Sequence, residues 1–216
     1  MPDATEAKPF DLNIEKILED WEVYHALREV IANALDERLL TNTKDIEITE
    51  GPRGIWHIRD YGRGLRHEHL TQNENAEKLA NPNMIGKFGI GLKDALATFD
   101  RHNVKVTIKS KHEDITLAKV QKHGFDDIQT LHAYVSPAAD PDFVGTEVTL
   151  RGVTHEDIEK AKDLFLRFSG ETSVEKTKYG EVLRKRDKSG RIYINGMKVA
   201  EEENLAARKM SAGISS

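Results

Sequence analysis

Residues 85–96, Ile-Gly-Lys-Phe-Gly-Ile-Gly-Leu-Lys-Asp-Ala-Leu, place the tightest constraint on how this chain can fold. Glycines 86, 89 and 91 stand directly before an apolar run in which Leu92, Ala95, Leu96 and Phe99 recur at the i, i+3, i+4, i+7 spacing of one helix face. A loop free to adopt positive φ therefore feeds into a helix that a core can hold. Backbone N–H groups presented at a helix N-terminus suit a phosphate, and Lys87 and Lys93 bring positive charge to the same place. Alone, the pattern fits a plain turn and helix cap equally well. It is not the dinucleotide fingerprint, because Asn81-Pro82-Asn83 reads as a turn where that motif needs a strand. Nor is it a Walker loop, since Lys87 is followed by Phe88 rather than Ser or Thr.

Upstream, apolar residues from Ile17 to Leu35 recur at helical spacing, which predicts one long helix over 14–40, or two separated by a kink. Glu29, Asn33 and Asp36 form a polar stripe along it at i, i+4 and i+7. A solvated face is the ordinary meaning of such a stripe. Asn33, however, lies between Ile31 and Leu35 in the apolar half, and a buried asparagine needs partners. Strands are predicted over 45–49 and 55–59, the second running into Asp60-Tyr61-Gly62-Arg63-Gly64. Asp-x-Gly often does no more than end a strand. A buried carboxylate there can also accept a hydrogen bond from an exocyclic amine, while Gly62 and Gly64 let a ligand approach the backbone.

Residues 66–84 are polar and weakly periodic and read as a short helix and a mobile loop. His67-Glu68-His69 lacks the further ligands a metal site needs and reads as solvated loop. Four strands follow the glycine-loop helix, over 104–109, 115–120, 131–135 and 144–150, the last entered through Gly145-Thr146. An amphipathic helix is expected over 156–168 and a hairpin over 191–199 turning at Asn195-Gly196. Seven Lys or Arg residues lie in 176–191, by default a solvated loop.

Apolar content of 38% with 32% charged residues describes a globular chain with a well-solvated surface. No run approaches the roughly 18 apolar residues of a membrane span, and residues 1–9 have no signal-peptide core, so a cytoplasmic protein with no membrane partner is expected. With no cysteine, disulfides, thiolate zinc sites and cysteine nucleophiles are excluded. A net charge of −5 argues against a surface that binds nucleic acid throughout.

The ordered set Glu29-x-x-x-Asn33-Ala34-x-Asp36, Asp60-x-Gly62-x-Gly64, Gly86-x-Phe88-Gly89-x-Gly91-x-Lys93 and Gly145-Thr146 resembles the GHKL ATPases, the superfamily of gyrase, heat-shock chaperones, histidine kinases and MutL. Its MORC-type and chaperone-type branches are the most similar. The resemblance implies an α+β fold, a two-layer α/β sandwich of the GHKL (Bergerat) type, with a mixed, largely antiparallel sheet and helices on one face. It implies an ATP-binding domain over 10–200 with an ATP lid at about 66–85, flanked by a polar segment over 1–9 whose composition reads as disordered and a small, polar stretch over 201–216 that reads as a flexible tail or the start of a linker.

The family's site residues map onto this sequence position by position. Glu29 is implied as the general base, Asn33 as the Mg²⁺ ligand and Asp60 as the acceptor for the adenine amine, with Thr146 supporting it. Asp36, Gly62 and Gly64 complete the pocket. Gly86, Lys87, Phe88, Gly89, Ile90, Gly91, Leu92 and Lys93 form the phosphate loop, and Lys78 is a weaker phosphate contact from the lid. ATP and Mg²⁺ are the implied cofactors, and a homodimer on ATP binding the implied assembly. The expected activity is ATP hydrolysis that gates DNA or chromatin handling, or chaperoning. Asp36 disfavours a histidine kinase, which usually has a basic residue there. Family members complete the site with a lysine from a following domain or a distal arginine, and this chain ends soon after Val199, so turnover in isolation is expected to be slow or absent. The alternatives are a non-hydrolysing ATP-binding regulator and phosphate transfer to a separate chain.

The basic stretch 176–191 makes nucleic acid a candidate partner. Binding through it predicts an affinity that falls steeply with salt and weakens on neutralising Arg184, Lys185 and Arg186, whatever the DNA sequence; anisotropy titrations across a salt series check this.

Overall fold

The computed structural model describes residues 8–12, 20–70, 80–86, 91–121, 129–178, 180–184 and 189–203. The chain divides into two compact units, Met1–Ile158 and Glu159–Ser216. The stretch 10–200 expected as one ATP-binding domain therefore spans the first unit and much of the second.

The first unit is an α+β structure built on a seven-stranded sheet. Its strands are β1 (Lys8–Asp11), β2 (Glu47–Gly51), β3 (Ile55–Asp60), β4 (Lys105–Ser110), β5 (Glu113–Gln121), β6 (Gln129–Pro137) and β7 (Thr146–Arg151), in the order β1-β6-β5-β4-β7-β3-β2. Each described pairing is antiparallel, where a mixed sheet was expected. The reason is topological. β3 and β4 run parallel to each other, but β7 lies between them and runs against both.

Alternation along the three central strands sorts their residues onto two faces. Trp56, Leu150 and Val106 are paired across the sheet, as are Ile58, Val148 and Ile108, and all six are buried. Helix α1 (Val23–Thr41) buries Val23, Ala26, Leu27, Val30, Ile31 and Ala34, and helix α2 (Gly91–Arg101) buries Leu92, Ala95, Leu96 and Phe99. The two helices pack on each other, α1 also against β3 and α2 against β4.

Several boundaries differ from those expected. Helix α1 starts at Val23, because Glu22 and His25 form a reciprocal capping box and the Trp21 carbonyl leaves the helix to accept hydrogen bonds from Arg101 and from His102 (3.0 Å). Residues 13–19 lie outside the described residues. Lys8 and Pro9, expected to be disordered, belong to edge strand β1, where a proline is tolerated. Their pairing with β6 leaves no trace in local sequence. The remainder of that terminal segment lies outside the described residues.

In the second unit, the helix expected over 156–168 breaks into α3 (His155–Asp163), which crosses the unit boundary, and α4 (Leu166–Ser169). The break is held open by the hairpin of β10 (Gly190–Ile194) and β11 (Met197–Glu202): Lys198 N–H donates to Leu164 O at 2.7 Å and Leu166 N–H to Gly196 O at 2.8 Å. The hairpin turns at Asn195 and Gly196, with φ of 50° and 81°, as expected. Strand β11 takes in Glu201 and Glu202, which were assigned to the tail; residues 204–216 lie outside the described residues. Part of the expected basic loop is a second exposed hairpin, β8 (Ser173–Thr177) with β9 (Gly180–Leu183). There Lys176 pairs with Glu181 at 2.9 Å. Arg191 is drawn into the unit by Glu171 at 3.1 Å and Glu201 at 3.2 Å. Lys185, Arg186 and Lys188 lie outside the described residues.

Among the described residues no helix is long and apolar enough to cross a membrane. Leu150 is fully buried at the centre of the sheet. Leu150→Ala is expected to lower unfolding stability by about 2–5 kcal/mol, read from denaturant titrations.

Candidate functional site

The buried face of the central strands changes character at one end. After its two apolar rows comes a third, Asp60 of β3, Thr146 of β7 and Ser110 of β4, paired across the sheet, all polar and all buried. Asp60 is 7% exposed. Its Oδ1 accepts the Gly62 N–H at 2.9 Å, and Thr146 bonds to it through hydroxyl and backbone. Burial pushes the Asp60 carboxyl up to about 6, with Glu37 adding to the rise and the bonds from Gly62 and Thr146 opposing it.

The row also fastens the loop that follows β3. Leu65 donates its N–H to Thr146 Oγ1 at 2.9 Å, and its carbonyl accepts from Ser110 Oγ at 2.5 Å. His112 Nε2 lies 2.9 Å from Arg63 O, and Glu113 takes the His67 backbone N–H and meets its ring at 3.0 Å. His69 Nδ1 accepts the Arg66 N–H at 3.1 Å, and burial lowers its pKa. The histidines of His67-Glu68-His69 are thus committed to the loop itself. Among the described residues no group of three or more His, Asp or Glu is arranged to hold a metal ion.

Gly145 has φ of 80°, and a side chain there would overlap the backbone of Asp60 and Tyr61. That close approach is what brings Thr146 beside Asp60.

Helix α1 runs along the site, and its Glu29, Asp36 and Glu37 reach the start of α2, the Ile85–Gly86 backbone and the loop after β3. Glu29 Oε1 accepts from Arg28 at 2.8 and 2.5 Å, and its other oxygen fills the space a side chain at Gly91 would need. Its carboxylate therefore stands at the N-terminus of α2, where the helix dipole favours negative charge. Asp94, one turn along α2, has its pKa raised by burial and then by Glu29, with Lys93 opposing. Asp36 is 1% exposed and accepts the Ile85 and Gly86 N–H groups at 2.8 and 2.9 Å, one with each oxygen. Its carboxylate serves the loop entrance directly. Asn33 is half-buried between these two positions.

Three clusters of the predicted residues therefore lie along α1: Glu29 with Gly91, Asp36 with Gly86, and Asp60 with Gly62, Gly64 and Thr146. Leu92 gives its side chain to the core. Lys87, Phe88, Gly89, Ile90 and Lys78 lie outside the described residues, as does 71–79 of the expected lid. At the lid's two ends, Leu70 and Met84 are buried.

Sequence reasoning missed Glu37 and Ser110. Glu37 accepts from the Arg63 backbone at 2.8 Å and from its guanidinium at 2.9 and 3.0 Å, and its side chain fills the space beside Gly62. Its spacing, four residues beyond Asn33, was the available signal. Ser110 follows Val106 and Ile108 on the inward face of β4, and a polar residue at that third position marks the change of environment.

Asp60 carries a pH signature. Above about pH 6 the native state must bury its charge, whereas below its ordinary pKa of 3.8 the carboxyl is neutral whether folded or not. Asp60→Asn is expected to raise stability at pH 7–8 by up to about 3 kcal/mol, with the gain fading as pH falls from 6 to 4, read from urea titrations at each pH.

A family model described as the Mycoplasma pneumoniae MPN635 N-terminal domain matches residues 156–208. A protein of Mycoplasma pneumoniae (strain ATCC 29342 / M129 / Subtype 1), named only as uncharacterized, is 40% identical over 201 residues, which cover 90% of this chain and 80% of the relative.

Proposed function

We propose that this chain, which belongs to the family of that Mycoplasma pneumoniae protein, is a Mg²⁺-dependent module of the GHKL type that binds and hydrolyses ATP. The observation that carries this reading is the buried row of Asp60, Thr146 and Ser110 at the end of an otherwise apolar sheet face. A buried carboxylate with a raised pKa opposes folding, and such groups cluster at functional sites. An antiparallel sheet with α1 and α2 against it supports the GHKL fold, a two-layer sandwich with helices on one face.

Asp60 accepts a hydrogen bond from the exocyclic amine of adenine, and guanine, with a carbonyl at that ring position, is disfavoured. Thr146 supports Asp60 and the base. The triphosphate runs toward the N-terminus of α2, with Gly86, Lys87, Phe88, Gly89, Ile90, Gly91, Leu92 and Lys93 as the phosphate loop and Lys87 and Lys93 as its positive charge, while the Gly86 N–H itself is taken by Asp36. Asp36 holds the entrance of that loop through Ile85 and Gly86. Asn33 offers a neutral amide oxygen, a donor suited to a hard cation that keeps most of its waters, and is the residue that would hold Mg²⁺. When bound, the cation neutralises phosphate charge.

Glu29 takes the proton from the attacking water. The water oxygen forms a bond to the γ-phosphorus as the bond to the β–γ bridging oxygen breaks, and ADP leaves. Arg28 and Gly91 fix where the Glu29 carboxylate stands. The lid over 66–85 closes over the nucleotide and excludes water. Closure joins two copies of the chain and gates a partner activity in DNA or chromatin handling, or chaperoning, in the cytoplasm.

Turnover per chain, measured with Mg²⁺ across a wide range of protein concentration, tests this. It is expected to rise with concentration, as a dimer assembles the active state. Glu29→Ala should bind ATP as wild type does and hydrolyse it at least about 100-fold more slowly. Saturable ATP binding with no turnover would point instead to a regulatory module, and label transferred to another chain to a kinase-type reaction.

A further inference from the structure

Arg59, the residue before Asp60, points to the opposite face of the sheet. There five side chains form one continuous stack of alternating cations and rings. Lys44 Nζ lies 4.3 Å from the Tyr61 ring, the Arg59 guanidinium lies 4.8 Å from Tyr61 and 4.4 Å from Phe143, and Lys109 Nζ lies 4.5 Å from Phe143. Each separation is within cation–π range. Phe143 is 8% exposed. The Arg59 Nε is buried and, among the described residues, has no hydrogen-bond partner. A donor left in that state opposes folding, and the rings on either side, together with the charge of Glu47, favour the guanidinium there.

The stack does not form a basic surface. Lys44 pairs with Glu47 at 2.5 Å, Lys109 with Asp140 at 3.5 Å, and Glu47 and Glu147 face Arg59 across the sheet. Its charges are matched, which argues against a polyanion partner. Its chain connections point inward. Arg59 and Tyr61 flank Asp60, Lys109 precedes Ser110, and Phe143 leads through Val144 and Gly145 into Thr146. Every member of the buried polar row is thus tied by one to three peptide units to a member of the stack on the other face.

We propose that the Arg59–Phe143 contact is a positioning device that sets the distance between Asp60 and Thr146, and through it the selectivity for a base carrying an exocyclic amine. This rests on the assignment of Asp60 as the acceptor for that amine. Gly145 leaves no room for a side chain against the Asp60 backbone, so the two segments already touch at their closest point. Arg59, next to Asp60, and Phe143, two residues before Gly145, clamp them beside that point. Loss of the clamp lets the pair drift by a fraction of an ångström, enough to spoil a directional hydrogen bond without dismantling the sheet.

The test compares dissociation constants for ATP and inosine triphosphate, which carries a carbonyl in place of the amine, in the full chain, with thermal unfolding recorded for each variant. Wild type is expected to prefer ATP, and Asp60→Asn to lose that preference. Phe143→Leu, which keeps apolar bulk, and Arg59→Met, which keeps the stem, should each shrink the preference by about tenfold, the worth of one well-placed hydrogen bond. Phe143→Tyr should retain it. A lowered melting temperature with an unchanged ATP-to-inosine-triphosphate ratio in the leucine and methionine variants would overturn the proposal while leaving Asp60 as the acceptor. No preference in wild type, or a preference that survives Asp60→Asn, would remove the Asp60 assignment and the proposal together. If Phe143→Leu fails to fold, Arg59→Met decides.

Discussion

A carboxylate buried at the end of a β-strand is the constraint on which the first unit depends. Asp60 loses most of its hydration and is compensated by the Gly62 N–H and by Thr146, and that compensation works only if three segments converge. Gly62 must turn back toward the strand it has just left. Thr146 must enter its strand directly opposite, which requires Gly145 in a left-handed conformation with its backbone pressed against that of Asp60. Ser110 must end β4 on the same face to take the Leu65 carbonyl. The polar row is therefore a junction where loops from distant parts of the chain satisfy one another's hydrogen bonds.

Helix α1 is the second element around which the site is arranged, and its two faces serve different ends. One face supplies Ala26, Leu27, Val30, Ile31 and Ala34 to the core, which fixes its rotation against the sheet. The other then has no freedom. Glu29, Asp36 and Glu37 meet Gly91, the Ile85–Gly86 backbone and the Gly62–Arg63 turn respectively. Glycine recurs in all three contacts, twice because a side chain of α1 occupies the volume that any other residue would need.

The second unit uses different means. Few of its described residues bury a large side chain, and ionic and backbone contacts connect it: Arg191 between Glu171 and Glu201, Lys198 between Asp163 and Glu201, and a hairpin that hydrogen-bonds into a broken helix. The match to the MPN635 N-terminal domain, residues 156–208, covers most of this unit together with the first turn of α3 that precedes it.

Much of this was legible in the chain. Hydrophobic period placed the core of α1, the buried face of α2 and the central strands, because burial on one face imposes a spacing that does not depend on neighbours. Asn195-Gly196 announced its hairpin, since a tight turn's backbone angles are a local requirement. Glycines 62, 64, 86, 91 and 145, with Glu29, Asp36, Asp60 and Thr146, were all visible as motifs. Only the tertiary structure decided which of them meet. It set Asp36 against a backbone 49 residues away and gave Glu37, Ser110, Arg59 and Phe143 their parts. It also made a strand of Lys8 and Pro9 and broke a helix at Leu164. Local propensity and spacing report what a residue can do with its chain neighbours. Contacts formed across a sheet, or between a helix and a loop, depend on registers and packing angles that exist only once the whole unit has closed.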